Sequence, residues 1–103
     1  MTVKRDCSIP SGGVNSDAIE LFNFYPVRVQ LPTMTGTAVT PQTSSDGGAT
    51  FADMYDRDGV VLSFVPGRSY AVELLDWAGI EFLRFVSGTT EGADCTIYVM
   101  LED

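Results

Sequence analysis

The sequence contains no histidine. That removes the Ser–His and Cys–His nucleophile pairs and the commonest zinc ligand together. Basic residues are scarce too: six Lys and Arg stand against fourteen Asp and Glu, for a formal charge of −8. Sequence-independent nucleic-acid binding rests on neutralising phosphates with Lys and Arg, so this field repels such a partner. An anionic membrane surface is disfavoured for the same reason, and no apolar run approaches the ~20 residues of a spanning helix. The opening residues MTVKRDCSIPSGG include Lys4 and Arg5. No apolar segment of roughly 7–15 residues follows them, so they do not read as a secretory signal. The expectation is a protein made and folded in a cytoplasm, with no nucleic-acid and no membrane partner.

Cysteine occurs only twice, as Cys7 and Cys95 near opposite ends of the chain. Two such distant residues do not make a zinc site. In a cytosol they are expected as free thiols; a bridge between neighbouring terminal strands stays open, because sequence does not supply the Cα spacing that decides it. Charged residues make up 19%, below the ~25% usual for globular chains. The shortfall leaves less charge to cover the surface and points to part of it being buried against partners. Helical periodicity never lasts three turns, so no phosphate-cradling loop opens a helix. Neither catalytic residues nor a cofactor is expected.

What is present is a series of short apolar stretches cut by turns. A chain of 103 residues suits one domain and buries roughly 60–70% of its unfolded surface. Ser44 to Gly59, SSDGGATFADMYDRDG, is the clearest punctuation. Asp46-Gly47-Gly48 and Asp56-Arg57-Asp58-Gly59 are turn clusters. They bracket a short strand, Ala49 to Tyr55, and Val60 to Val65 reads as the next. Thr2 to Pro10 is an extended arm or first strand. Asp17 to Phe24 is read as a short strand. Tyr25 to Leu31 alternates Tyr25, Val27, Val29 and Leu31 with Pro26, Arg28 and Gln30, the period-2 mark of a half-buried strand. Pro26 places that strand at an edge or marks its start.

Thr37 to Thr43 is a weaker strand holding Pro41. Ser69 to Leu75 sets Tyr70, Val72 and Leu74 on one face. Trp77, in the connection Asp76 to Gly79, caps the end of the core. Ile80 to Ser87 sets Phe82, Arg84 and Val86 opposite Glu81, Leu83 and Phe85, and Cys95 to Leu101 sets Ile97, Val99 and Leu101 opposite Tyr98 and Met100. About eight short strands with Gly- and Pro-bearing turns predict a single all-β domain over residues 1–103, an antiparallel, jelly-roll-like β-sandwich with residues 1–16 as arm or first strand.

The carboxylates Asp46, Asp53, Asp56 and Asp58 crowd the two turns. Calcium takes several oxygen ligands, but the twelve-residue calcium loop is absent and Asp-Gly is ordinary turn chemistry, so no metal is assigned. Exposed turn aspartates also lack the burial that would split a glycosidase pair. Arg84, inside FLRFV, is either a snorkelling or internally paired side chain, with Glu73 as one partner, or half of an inter-subunit salt bridge. A sandwich strand needs only one apolar face, whereas the last two strands have two. Phe82, Val86, Tyr98 and Met100 therefore meet another subunit or lie under a loop or the arm. Together with Val3, Ile9, Arg84 and Trp77 they form the candidate interface.

Several blocks carry a resemblance. Pro32 ends an apolar strand; Thr35-Gly36-Thr37 follows, then Ser45-Asp46-Gly47, Thr50-Phe51 and Tyr55-Asp56. Farther on stand Phe82-Leu83-Arg84, Ser87-Gly88 and Ala93-Asp94. In this order they resemble a group of small β-proteins from tailed bacteriophages, across most of residues 18–103. The chain departs from that pattern at Gly47-Gly48, at Pro41 and in its first residues. The resemblance implies a virion structural protein with a jelly-roll-like fold. It implies a capsid decoration, or cement, protein that binds the major capsid protein as a homo-dimer or homo-trimer on the capsid surface. The alternative is a carbohydrate- or receptor-binding sandwich of a tail or head fibre, with Tyr25, Trp77 and Tyr98 as its aromatic contacts.

Overall fold

The strongest alternation in the chain sets the frame. From Cys95 to Glu102 every second side chain is buried, Cys95, Ile97, Val99 and Leu101 pointing inward and the residues between them half-exposed. The computed structural model describes the backbone of residues 1–103 and all side chains except those of residues 74 and 75. Among the described residues there are eight strands and one short helix: β1 (Thr2–Ile9), β2 (Ile19–Glu20), β3 (Tyr25–Gln30), β4 (Val39–Ser44), β5 (Ala52–Asp53), β6 (Ser69–Ala71), α1 (Leu74–Trp77), β7 (Phe82–Ser87) and β8 (Cys95–Glu102).

The strands form two four-stranded antiparallel sheets, in the orders β1-β8-β3-β6 and β2-β7-β4-β5. The first neighbours are nested: β1 with β8, β2 with β7, β3 with β6, β4 with β5. That is one long antiparallel hairpin, rolled up and closed by the β3–β8 and β4–β7 pairings, which is the jelly-roll arrangement. The all-β sandwich expected from the sequence is therefore what the chain forms. The Asp- and Gly-rich stretch from Ser44 to Gly59 lies at the bend of the rolled hairpin.

Between the sheets lies one apolar core. The first sheet contributes Cys7, Ile9, Val29, Ile97, Val99 and Leu101; the second contributes Ile19, Val39, Leu83 and Phe85. Phe64 closes the side near β5 and β6, with its ring centroid 4.9 Å from Tyr70, 6.0 Å from Trp77 and 6.4 Å from Phe85. Offset and tilted ring pairs at such distances are favourable beyond their area.

Several local expectations change. For Pro26 the second of its two readings holds: β3 runs between β8 and β6, away from an edge, and Pro26 stands near its start. The register to β8 shifts between Pro26 and Arg28. The bulge reverses the alternation, so Pro26 is buried and Val27 is not, while Val29 and Leu31 keep the inward face. Val60 to Val65 makes only single bridges, Tyr55 to Val61 and Val39 to Phe64, instead of a strand. The strand expected from Ser69 to Leu75 ends at Ala71. The chain then turns into α1, where the Asp76 and Trp77 N–H groups both donate to the Glu73 carbonyl, at 3.1 and 3.2 Å. The expected place of Leu74 on the Tyr70 face lies outside the described side chains. Trp77 does sit at the end of the core, 3% exposed.

Candidate functional site

The eight candidate interface residues do not make one surface. Ile9 and Trp77 are buried in the core, at 0% and 3% exposure, and are corrected to core residues. Ile9 points inward because β1 pairs along its whole length with β8. Trp77 is drawn in by α1. Val3 is half-buried at the edge of the inner face. The other five divide between the two outer faces of the sandwich, Phe82, Arg84 and Val86 on β7 and Tyr98 and Met100 on β8.

The β7 face is already covered by this chain. The Gly48 backbone lies over the Phe82 ring, so that an added Cβ there would stand 3.8 Å from the ring. The Arg84 guanidinium lies 4.2 Å from the Phe51 ring centroid. Its Nε donates to Gln42 Oε1 at 2.8 Å, and Gln42 Nε2 donates to Asp53 Oδ1 at 2.8 Å. Arg84 is thus held by Gln42 and Phe51, not by Glu73. Asn15 bridges to Val86. A loop covering this face, one of the two readings of the two-faced strands, is what the structure shows here.

On the outer face of β8 Tyr98 and Met100 are half-buried. Met100 has Lys4 on one side and Arg28 on the other, both directly opposite it in register and both exposed. One row along, Tyr98 faces Asp6 and Gln30, and Lys4 Nζ sits 4.6 Å above its ring. A cation over an aromatic face is a weak, exposed attraction. The two rows make a strip with an apolar centre, cationic beside Met100 and acidic or neutral beside Tyr98.

The side chain that sequence reasoning missed is Glu91, which is 1% exposed. Its Oε1 accepts from the Thr35 N–H at 2.8 Å and lies 3.4 Å from the Cys95 thiol; its Oε2 accepts from the Gly36 N–H at 2.9 Å and from Ser87 Oγ at 2.7 Å. Burial by itself would raise the Glu91 carboxyl, but hydrogen bonds from Ser87, Gly36, Thr35 and Cys95 outweigh it and hold the group below its ordinary range. Gly36 is required here by close approach: a Cβ would meet Ser87 Oγ and stand 3.0 Å from Glu91 Oε2. Glu91 therefore ties the Thr35-Gly36-Thr37 turn to Ser87 and β8, and no spacing in the sequence announces it. Asp46 plays a similar part in the bend. Its carboxylate accepts from the Thr50 side chain and N–H and from Ser44 Oγ, which lowers it well below the usual carboxylate range.

A shallow groove of about 500 Å³ runs past the end of β1, lined by Ser8, Pro10, Asn15, Asp17, Asp94 and Thr96 among others. Its carboxylates are structural: Asp17 accepts from the Ser8 N–H at 2.7 Å and Asp94 from the Ser11 N–H at 2.8 Å. Among the described residues no three Asp, Glu or Cys side chains gather as a metal site. Both thiols are free and buried. Cys7 faces Ile97 and Cys95 faces Ile9, so the two are diagonal neighbours at roughly 7–8 Å, beyond the spacing of a disulfide. Burial first, and Asp17 nearby, push the Cys7 thiol up to about 12.

Two exposed apolar features were also missed. Phe22 is 78% exposed at the tip of a turn, with φ of 46°. Tyr55, Val60 and Val61 are exposed on the hairpin between Asp53 and Leu62, Tyr55 and Val61 as bridge partners.

No protein-family model and no curated protein sequence matches this chain. Among solved structures, the fold is similar to that of the SPBc2 prophage-derived protein YomS, with a TM-score of 0.64, 12% identity, and 98% of this chain and 94% of that chain covered. At that identity the likeness speaks for the fold: this chain has the jelly-roll architecture of a protein of prophage origin.

Proposed function

We propose that this chain is a structural protein of a tailed bacteriophage virion, a capsid decoration protein that binds and stabilises the head shell as a homo-dimer or homo-trimer. The observation that carries this reading is the fold, shared over nearly the whole length with a prophage-derived protein. The motifs that resemble phage β-proteins support it, since they work as structural ties: Thr35 and Gly36 meet Ser87 through Glu91, and Asp46 binds Thr50. A decoration protein needs a stable body, which these ties supply, and a sheet face to lay against the shell. The carbohydrate reading loses its anchor, because Trp77 is inside the core and presents no ring to a sugar.

The test is binding to empty capsids. Purified protein is expected to cosediment with shells built from the major capsid protein, to saturate, and to raise the temperature at which they come apart. Absence from purified virions, together with no binding to shells, would sink the proposal.

A further inference from the structure

Aspartate is followed by glycine twice in the chain, at Asp46-Gly47 and at Asp58-Gly59. In such a pair the aspartate Cγ can close a five-membered ring with the next amide nitrogen, and glycine puts no Cβ in the way. The fold treats the two pairs differently. Both oxygens of Asp46 are engaged. Its Oδ1 accepts from Ser44 Oγ at 2.7 Å and from the Thr50 N–H at 3.0 Å, and its Oδ2 accepts from Thr50 Oγ1. Those bonds favour the carboxylate anion, which is a poor electrophile. The Gly47 N–H is taken as well, donating to the Glu81 carboxylate at 2.9 Å. A bond from an N–H to a charged acceptor is among the stronger ones. Acid and amide are thus each held by a separate partner.

At the second pair the turn is built by Asp56 instead. Asp56 Oδ1 accepts from the Asp58 and Val60 N–H groups, each at 2.9 Å, and the Asp56 carbonyl accepts from the Gly59 N–H at 3.1 Å. The neighbouring Arg57 is bonded to Asp76. Among the described residues no hydrogen bond and no ion pair reaches the Asp58 carboxylate, and Asp58 and Gly59 are both exposed. The acid is free to rotate, and its neighbouring amide is held only by a neutral carbonyl of the same turn. We propose that Asp58 is a site of spontaneous isomerisation in the folded protein, passing through a succinimide to isoaspartate, while the fold protects Asp46. The Gly59 nitrogen attacks Asp58 Cγ and gives up its proton; a C–N bond forms and the carboxyl oxygen leaves as water. Water then adds to one of the two ring carbonyls. Breaking the C–N bond at the main-chain carbonyl leaves the chain running through the Asp58 side chain, and breaking the other restores aspartate. No oxidant, reductant or cofactor is consumed. Isoaspartate lengthens the backbone by one carbon inside the loop that the Tyr55–Val61 bridge closes. This chemistry is independent of shell binding.

The experiment ages the purified chain for weeks at neutral pH and body temperature, folded in buffer and, in parallel, unfolded in urea. Peptides carrying each Asp–Gly pair are separated, and isoaspartate is identified by electron-transfer fragmentation. Hydroxylamine, which attacks a succinimide and cuts the chain there, is the second readout. In the folded protein isoaspartate is expected to accumulate at Asp58, with hydroxylamine cutting between Asp58 and Gly59, while Asp46 stays at its starting level. In urea both sites are expected to convert, and the difference between them to vanish. Asp58→Glu, whose side chain would have to close a larger ring, is expected to lose the signal at 58. Thr50→Val, which removes one donor from Asp46, is expected to gain isoaspartate at 46. A folded chain with no isoaspartate at 58 by the time the unfolded chain has converted overturns the inference. So does a folded chain that converts equally at 46 and 58.

Discussion

Glu91 shows how one side chain holds three segments together. A carboxylate at 1% exposure is costly unless its oxygens are satisfied, and here two backbone N–H groups, a hydroxyl and a thiol satisfy it. Removing it strands buried donors. Glu91→Ala is expected to cost about 3 kcal/mol, read as a lowered urea midpoint with an unchanged slope, and Glu91→Gln costs less because one oxygen still accepts. The pH dependence follows from the direction of the shift. The folded group is held below its ordinary value of 4.5, so the folded state binds its proton less readily than the unfolded chain. Its contribution is complete above that value and is lost as pH falls through the lower folded value. Melting curves of wild type and Glu91→Gln are therefore expected to differ most near neutral pH and to converge in acid. A gap that stays constant down to pH 2 would show that the carboxylate charge plays no part.

At the scale of elements, β1 matters most. Read as an arm, it would be dispensable. Paired in register from Thr2 opposite Glu102 to Ile9 opposite Cys95, it supplies two core side chains, Cys7 and Ile9, both at 0% exposure. Deleting residues 1–9 uncovers the inner face of β8 and leaves a row of unpaired β8 backbone groups. The expected outcome is a chain with no cooperative melting transition that aggregates on expression. A truncated protein that still melts sharply would mean that β1 contributes little to the core. The helix α1 has a similar logic on a smaller scale: four residues are too few to be stable alone, and Trp77 packed on Phe64 fastens them.

The whole molecule has a Cα radius of gyration of 12.7 Å, close to the ~13 Å of a compact 100-residue domain. Its topology makes folding non-local. β1 pairs with β8 and β2 with β7, so the first loop is nearly as long as the chain and the second spans more than half of it. Their entropy is lost before the contacts form, which places refolding in the range of about milliseconds to seconds. Stopped-flow refolding followed by Trp77 fluorescence is expected to report in that range, since Trp77 goes from exposed to buried. A microsecond phase carrying the whole amplitude would contradict a long-range nucleus.

Sequence alone determined the class of this fold. The two-residue alternation of Ile97, Val99 and Leu101, the Asp-Gly turns and the want of any lasting helical period leave an antiparallel sandwich as the way to bury such stripes. Position within the sandwich was decided elsewhere. Whether Pro26 stands at an edge depends on which strands lie beside β3, and its bulge reversed the faces that strict alternation predicts. The two outer faces look alike in sequence, each with an apolar row broken by a basic residue or flanked by one. Only the folded chain lays Phe51 and Gly48 over β7 and sets Gln42 beside Arg84. Glu91 was invisible for the same reason: its partners lie 55 and 56 residues away at Gly36 and Thr35. Local sequence carries propensity and period, while burial is a property of neighbours that are distant in the chain, and those exist only once the rolled hairpin has closed.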